Sequence, residues 1–142
     1  MWSKDAIEEM EEDRMNEEQM KKDLGGGAVF ETGDPNTAFA QYFIGQSYLK
    51  MLTTEGVGIG NVTFEPGCRN NWHVHHKGGQ ILLCTGGRGY YQEWGKEPQE
   101  LHAGDVVNIP PEVKHWHGAA KDSWFQHLAV EVPAEGGSNE WL

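Results

Sequence analysis

A chain of 142 residues is long enough to bury the core of one domain without disulfide or metal staples. Its formal net charge of −11 sets it against nucleic acid, whose phosphates would repel it. No apolar run approaches the ~20 residues that span a bilayer, and the N-terminus turns acidic at once, so the composition predicts a cytoplasmic protein with no membrane role.

Residues 1–24 hold nine acidic and four basic residues and neither Gly nor Pro. Good helix formers dominate, and Trp2, Ala6, Ile7, Met10, Met15 and Met20 make only a ragged apolar stripe. This pattern predicts a solvated acidic helix that caps the domain, with docking of a partner as the alternative. Gly25-Gly26-Gly27 ends it as a hinge, which divides the chain into an extension over 1–27 and a domain over 28–142. From Ala28 the chain reads as all-β. Strands are predicted at 42–45, 48–53, 57–65, 71–76, 80–85, 88–94, 98–102, 106–109, 114–119 and 124–132. Turn signals separate them at Pro66-Gly67, Gly78-Gly79, Gly86-Gly87, Ala103-Gly104-Asp105 and Pro110-Pro111-Glu112. Many short strands punctuated in this way predict a sandwich or barrel, with no internal repeat.

Chemistry concentrates where His73 and His75 lie two residues apart on one predicted strand. Positions i and i+2 share a face, so both imidazoles aim at one point. Gln80 returns to that point after the Lys77-Gly78-Gly79 turn, and His115 in His115-Trp116-His117 offers a fourth group. Alternation then predicts an inward set of Gln80, Leu82 and Cys84, and another of Phe125, His127 and Ala129, while Trp72 and Val74 face away. Cys68 and Cys84 are too few for a disulfide framework and are expected as buried reduced thiols, with thiolate ligation of a metal as the alternative. His76 and His102, next to turns, are expected to be exposed.

These intervals resemble the two motifs of the cupin family. The first is a glycine, five intervening residues, His-x-His, three or four intervening residues, a glutamate, six more and a closing glycine; here Gly67, His73, His75, position 80 and Gly87 take those places. In the second, a glycine, Pro-x-Gly and a histidine are matched by Gly104, Pro110-Pro111-Glu112 and His115. The resemblance covers roughly residues 38–133 and departs at three positions. Gln80 replaces the glutamate, Glu112 replaces a turn glycine, and Ala119 stands where many members have Asn. The chain is similar to small single-domain bacterial cupins, among them manganese-dependent hydroxynitrile lyases that use three His and one Gln. It is also similar to cupins that occur beside carboxymuconolactone decarboxylase-like proteins. The resemblance implies a jelly-roll β-barrel, a divalent metal at its mouth and a homodimer. Trp72 and Trp116, large for a solvent face, point to a second copy as well.

His73, His75, Gln80 and His115 are accordingly the expected metal ligands, and manganese is favoured, with Fe, Zn, Ni or Cu as alternatives. Three imidazoles and an amide are neutral, so an ion held by them keeps its full +2 charge, favours anionic ligands and acts as a strong Lewis acid. His127 and His117 are the candidate catalytic groups, since a histidine within reach can carry a proton near neutral pH, and the resemblance points to His127; a packing role is the alternative for each. Tyr90 and Gln92 are candidates to line the cavity, with core packing as the alternative, and Arg69 is a candidate to bind a carboxylate, with exposure at a turn as the alternative. The expected function is a metal-dependent lyase or isomerase for a small carbonyl or hydroxy compound, anionic or enolisable. An iron or copper dioxygenase and a non-catalytic binding module are the alternatives.

Overall fold

The computed structural model describes residues 1–25 and 29–142. The second half of the predicted glycine hinge and the boundary at 27/28 lie outside the described residues. Helix α1 spans Lys4–Asp23. Its start is set by Ser3, whose hydroxyl accepts the Ala6 N–H at 3.1 Å. Asp5 near the N-terminus and Lys21 and Lys22 near the C-terminus complement the helix dipole. The helix itself buries no residue. It docks through its end: Leu24 is buried against Gly86, and the Asp23 carboxylate accepts the Trp124 N–H at 3.0 Å. The solvated acidic helix expected from composition is therefore what forms.

Twelve strands follow: β1 (Asp34–Pro35), β2 (Phe43–Ile44), β3 (Ser47–Thr53), β4 (Ile59–Phe64), β5 (Arg69–Asn70), β6 (His73–His76), β7 (Gln80–Glu93), β8 (Gln99–His102), β9 (Val106–Ile109), β10 (His115–Ala119), β11 (Phe125–Glu131) and β12 (Ser138–Trp141). All pair antiparallel. One layer runs β1-β3-β4-β11-β7-β9. The other joins β8, β7 and β10, with β5 and β6 on the far side of β10, β2 beside β5 and β12 beside β6. Strand β7 belongs to both layers and curls them into the all-β jelly roll that the turn spacing predicts.

That shared strand corrects the sequence reading at Gly86-Gly87, where a turn is expected. The strand runs through, but with a register shift: Gln126 pairs with Gly86 while His127 pairs with Cys84. The bulge inserts one residue and reverses the inward parity. Before it, Gln80, Leu82 and Cys84 are buried; after it, Gly89 and Tyr91 are. Gly87 adopts φ +75°, and a Cβ there would collide with the Trp124 carbonyl, so only glycine fits. The core between the layers includes Phe64, Leu82, Ile109 and Phe125, with Phe64 stacked on Phe125 at 5.9 Å.

Glu112 occupies the family's turn glycine position and adopts φ +70°. Its carboxylate accepts the Lys77 N–H at 2.8 Å and meets His76 Nδ1 at 2.6 Å. These bonds offset the backbone strain of a side chain in the left-handed region. His76 Nε2 reaches Glu140 at 2.8 Å, which ties β12 to the barrel. His76 is therefore half-buried, while His102 is exposed as expected.

Candidate metal centre

Cross-strand pairing assembles the site. His73 on β6 stands opposite His115 on β10, and opposite Trp141 on β12. Gln80 on β7 stands opposite Glu131 on β11. Directly opposed residues share a face and lie within side-chain reach. The rings of His73 and His115 come to 4.1 Å between centroids, His73 and His75 to 5.1 Å, and His75 and His115 to 5.3 Å. All four of His73, His75, Gln80 and His115 are buried, as are His117 and His127.

Hydrogen bonds define which ring atoms are free. His73 Nδ1 lies 2.8 Å from the Asn71 carbonyl, and His115 Nδ1 lies 2.8 Å from the Val113 carbonyl. A carbonyl only accepts, so both Nδ1 atoms carry hydrogen and both Nε2 atoms keep their lone pairs. Gln80 Nε2 donates to Glu131 Oε1 at 2.5 Å, which leaves Oε1 as the free end of the amide. Among the described residues, His75 Nε2, His115 Nε2 and Gln80 Oε1 are buried without a partner. Buried acceptors left unpaired in this way are costly, and a cation satisfies them together.

Ring nitrogens of His73, His115 and His117 lie within 4.8 Å of one another, a cluster that can hold a metal ion. His117, however, has both ring nitrogens engaged. Its Nε2 meets Asn70 Nδ2 at 3.1 Å and its Nδ1 meets His127 Nε2 at 3.2 Å. Both His117 ring nitrogens are thus taken up by Asn70 and His127, while His75 Nε2 and Gln80 Oε1 are free.

Burial favours the neutral imidazoles that ligation requires. With the adjacent His115, it pushes His73 down to about 3. Burial lowers His115 to about 4 and His127 to about 4. His117 is held well below its ordinary value by burial and the neighbouring His127.

A cavity of about 210 Å³ opens beside these groups. Its lining includes His73, His75, Gln80, His117 and His127 with Asn70 and Glu131, and the apolar Phe39, Phe43, Leu49, Val62 and Trp141. Trp141 stacks between Tyr42 at 4.5 Å and His73 at 4.5 Å, so the C-terminal strand forms part of the wall.

Arg69, Tyr90 and Gln92 do not line this cavity. The bulge in β7 explains Tyr90 and Gln92, which the parity shift turns to the other face. There Gln92 Oε1 accepts the Trp116 indole N–H at 2.8 Å, and the Arg69 guanidinium covers the same indole at 4.0 Å. Trp72 packs edge-on against Trp94 at 5.1 Å. Trp116 is thus buried within the chain, while Trp72 is half-buried beside the exposed Trp94. Composition and spacing also miss Asn70, Glu131 and Trp141. Glu131 shares strand parity with His127 and was within reach of that argument; Asn70 and Trp141 follow from pairings that no local pattern encodes.

An antiparallel jelly roll with a buried histidine cluster at a cavity defines the class of small β-barrel proteins that present a site at one end. The chain belongs to the cupin family, whose domain model matches residues 60–130. It is 45% identical over 82 residues to an (R)-mandelonitrile lyase from Granulicella tundricola, a match that covers 58% of this chain and 62% of that enzyme, under two thirds of its length. Among solved structures it is similar to a cupin-like protein from Thermotoga maritima, with 43% identity, a TM-score of 0.76, and 82% of this chain and 89% of that one covered. A cupin 2 conserved barrel domain protein from Salinispora arenicola is 27% identical with a TM-score of 0.55, over 62% of this chain and 76% of that one.

Proposed function

We propose that this cupin is a divalent-metal-dependent lyase or isomerase for a small carbonyl or hydroxy compound, and that cyanohydrin cleavage is the activity to test first. One observation carries the reading: His75 Nε2, His115 Nε2 and Gln80 Oε1 are buried without a partner, and His75 and Gln80 border a small, largely apolar cavity. With His73 they form the proposed ligand set, and manganese is the first ion to try, ahead of Fe, Zn, Ni or Cu. Once bound, the ion supplies Lewis acidity toward a substrate oxygen. The similarity to an (R)-mandelonitrile lyase supports the reaction class.

The remaining roles fall to the chain's own residues. Phe39, Phe43, Leu49, Val62 and Trp141 take up the apolar body of the substrate and exclude water from the polar end. His127 lines the cavity and is the hydrogen-bonding group that meets the substrate, with His117 behind it. The Glu131 carboxylate, one hydrogen bond from Gln80, brings negative charge near a ligand set that has none of its own. We take the working form to be a cytoplasmic homodimer, on the composition and the family resemblance.

The test is cleavage of (R)-mandelonitrile and smaller cyanohydrins by chelator-stripped protein, before and after manganese is restored. Activity that appears only with metal supports the proposal. Activity unchanged by complete metal removal sinks it, and substrate-dependent oxygen uptake by the iron form in place of cleavage replaces it with the dioxygenase reading.

A further inference from the structure

We propose that Asn70 sets the tautomer of His117 and, through it, of His127, so that His127 offers the cavity an Nδ1–H donor rather than a lone pair. One buried chain of hydrogen bonds links the three residues. The His117 backbone N–H donates to Asn70 Oδ1 at 2.9 Å. A backbone N–H only donates, so this end of the Asn70 amide is its oxygen and the other end is the NH₂ group. That NH₂ group faces His117 Nε2 at 3.1 Å. His117 Nε2 therefore accepts, and the hydrogen of the neutral ring sits on Nδ1. His117 Nδ1–H in turn faces His127 Nε2 at 3.2 Å, so His127 Nε2 accepts and its hydrogen sits on Nδ1.

Burial makes the assignment strict. Asn70, His117 and His127 are 2%, 4% and 0% exposed, so bulk water cannot rearrange the chain of bonds. All three residues line the cavity. No residue among those described meets His127 Nδ1 at hydrogen-bond distance and angle, although the backbone of His127 and Leu128 lies beside the ring. An unpaired buried N–H awaits an acceptor. The ligand class it fits carries a carbonyl, carboxylate or alkoxide oxygen at that point.

The arrangement also limits what His127 does. It has no lone pair at Nδ1 with which to take a proton, and the chain ends at an amide that gives none up. His127 acts as a neutral hydrogen-bond donor, and Asn70 is a positioning residue that acts through His117. What the donor binds rests on the lyase reading; the tautomers do not.

The experiment is long-range ¹H–¹⁵N correlation of histidine-labelled full-length protein, metal-free and then zinc-loaded. Single His117→Gln and His127→Gln variants assign the signals. We expect protonated Nδ1 and bare Nε2 on both rings. Asn70→Asp keeps an acceptor for the His117 backbone but replaces the NH₂ donor with oxygen, and it should reverse both tautomers; Asn70→Ala should leave a mixture. His127 protonated at Nε2 in the unaltered protein overturns the proposal, whether or not the variants fold. Unchanged tautomers in a folded Asn70→Asp variant overturn the role of Asn70. An absence of lyase activity with these tautomers in place would refute the reaction and leave the relay standing.

Discussion

The Glu131 carboxylate accepts the Gln80 amide N–H at 2.5 Å across directly opposed positions of β11 and β7. The bond leaves Gln80 Oε1 as the free end of the amide. It also places a carboxylate beside the proposed ligand set, which is made only of neutral groups. Partners of this kind typically contribute 10–100-fold to metal affinity. We expect Glu131→Ala, which removes both orientation and charge, to weaken manganese binding by about that factor. Glu131→Gln, which keeps an acceptor but loses the charge, should weaken it less. Competition against a calibrated chelator measures both; equal affinity in all three proteins would show that the pair is only structural.

The histidine cluster predicts how stability varies with pH. His73 titrates at about 3 in the folded chain, and His115 and His127 at about 4. In an unfolded chain each takes a proton near 6.5. Between these values the unfolded state binds more protons, so stability falls as the pH falls. Each histidine costs on the order of 1.4 kcal/mol per pH unit across that window. Urea unfolding of metal-free protein should show a steep loss between roughly pH 6.5 and 4, flattening below the folded values. Stability that is constant or rises on acidification would contradict the buried neutral cluster.

Trp141 closes the cavity from β12, held between the rings of Tyr42 and His73. It is half-buried, so Trp141→Ala should cost less than a full core truncation, on the order of 2 kcal/mol. Its contact with His73 also makes it a reporter. Manganese should quench part of the tryptophan fluorescence, and Trp141→Phe should remove most of that change. Full quenching in the Trp141→Phe protein would place the ion away from His73.

Burial raises the Cys68 and Cys84 thiols to about 12. Thiolate is the reactive form, so neither should react with a thiol reagent in the native protein. Both should react fully after unfolding. Rapid native labelling of either would mean that the core near β7 opens far more easily than its packing implies.

Much of the fold and of the site is legible in the chain itself. Val106–Ile109 matches its predicted strand, and the His-x-His parity brings His73 and His75 together. What escaped has physical causes. Gly86-Gly87 reads as a turn because left-handed glycine serves turns and bulges alike. Pairing of Gly86 and Gly87 with β11 keeps β7 extended there, and the resulting parity shift removed Tyr90 and Gln92 from the cavity. Strand β12 has the polar sequence Ser-Asn-Glu-Trp, with no alternation to announce it. It is held by pairing with β6 and by the His76–Glu140 bond. Neutral ligands suggested an ion with undiminished charge; the Glu131 carboxyl group, one hydrogen bond from Gln80, has no signal in the histidine motif.

The central claim is that His73, His75, Gln80 and His115 hold a divalent ion while His117 does not. Elemental analysis of protein purified without chelators tests it most directly, on the unaltered chain beside Gln80→Ala and His117→Gln. The account predicts stoichiometric metal in the unaltered chain, its loss in Gln80→Ala, and its retention in His117→Gln. Full metal in Gln80→Ala together with loss in His117→Gln would contradict it and transfer the site to His73, His115 and His117.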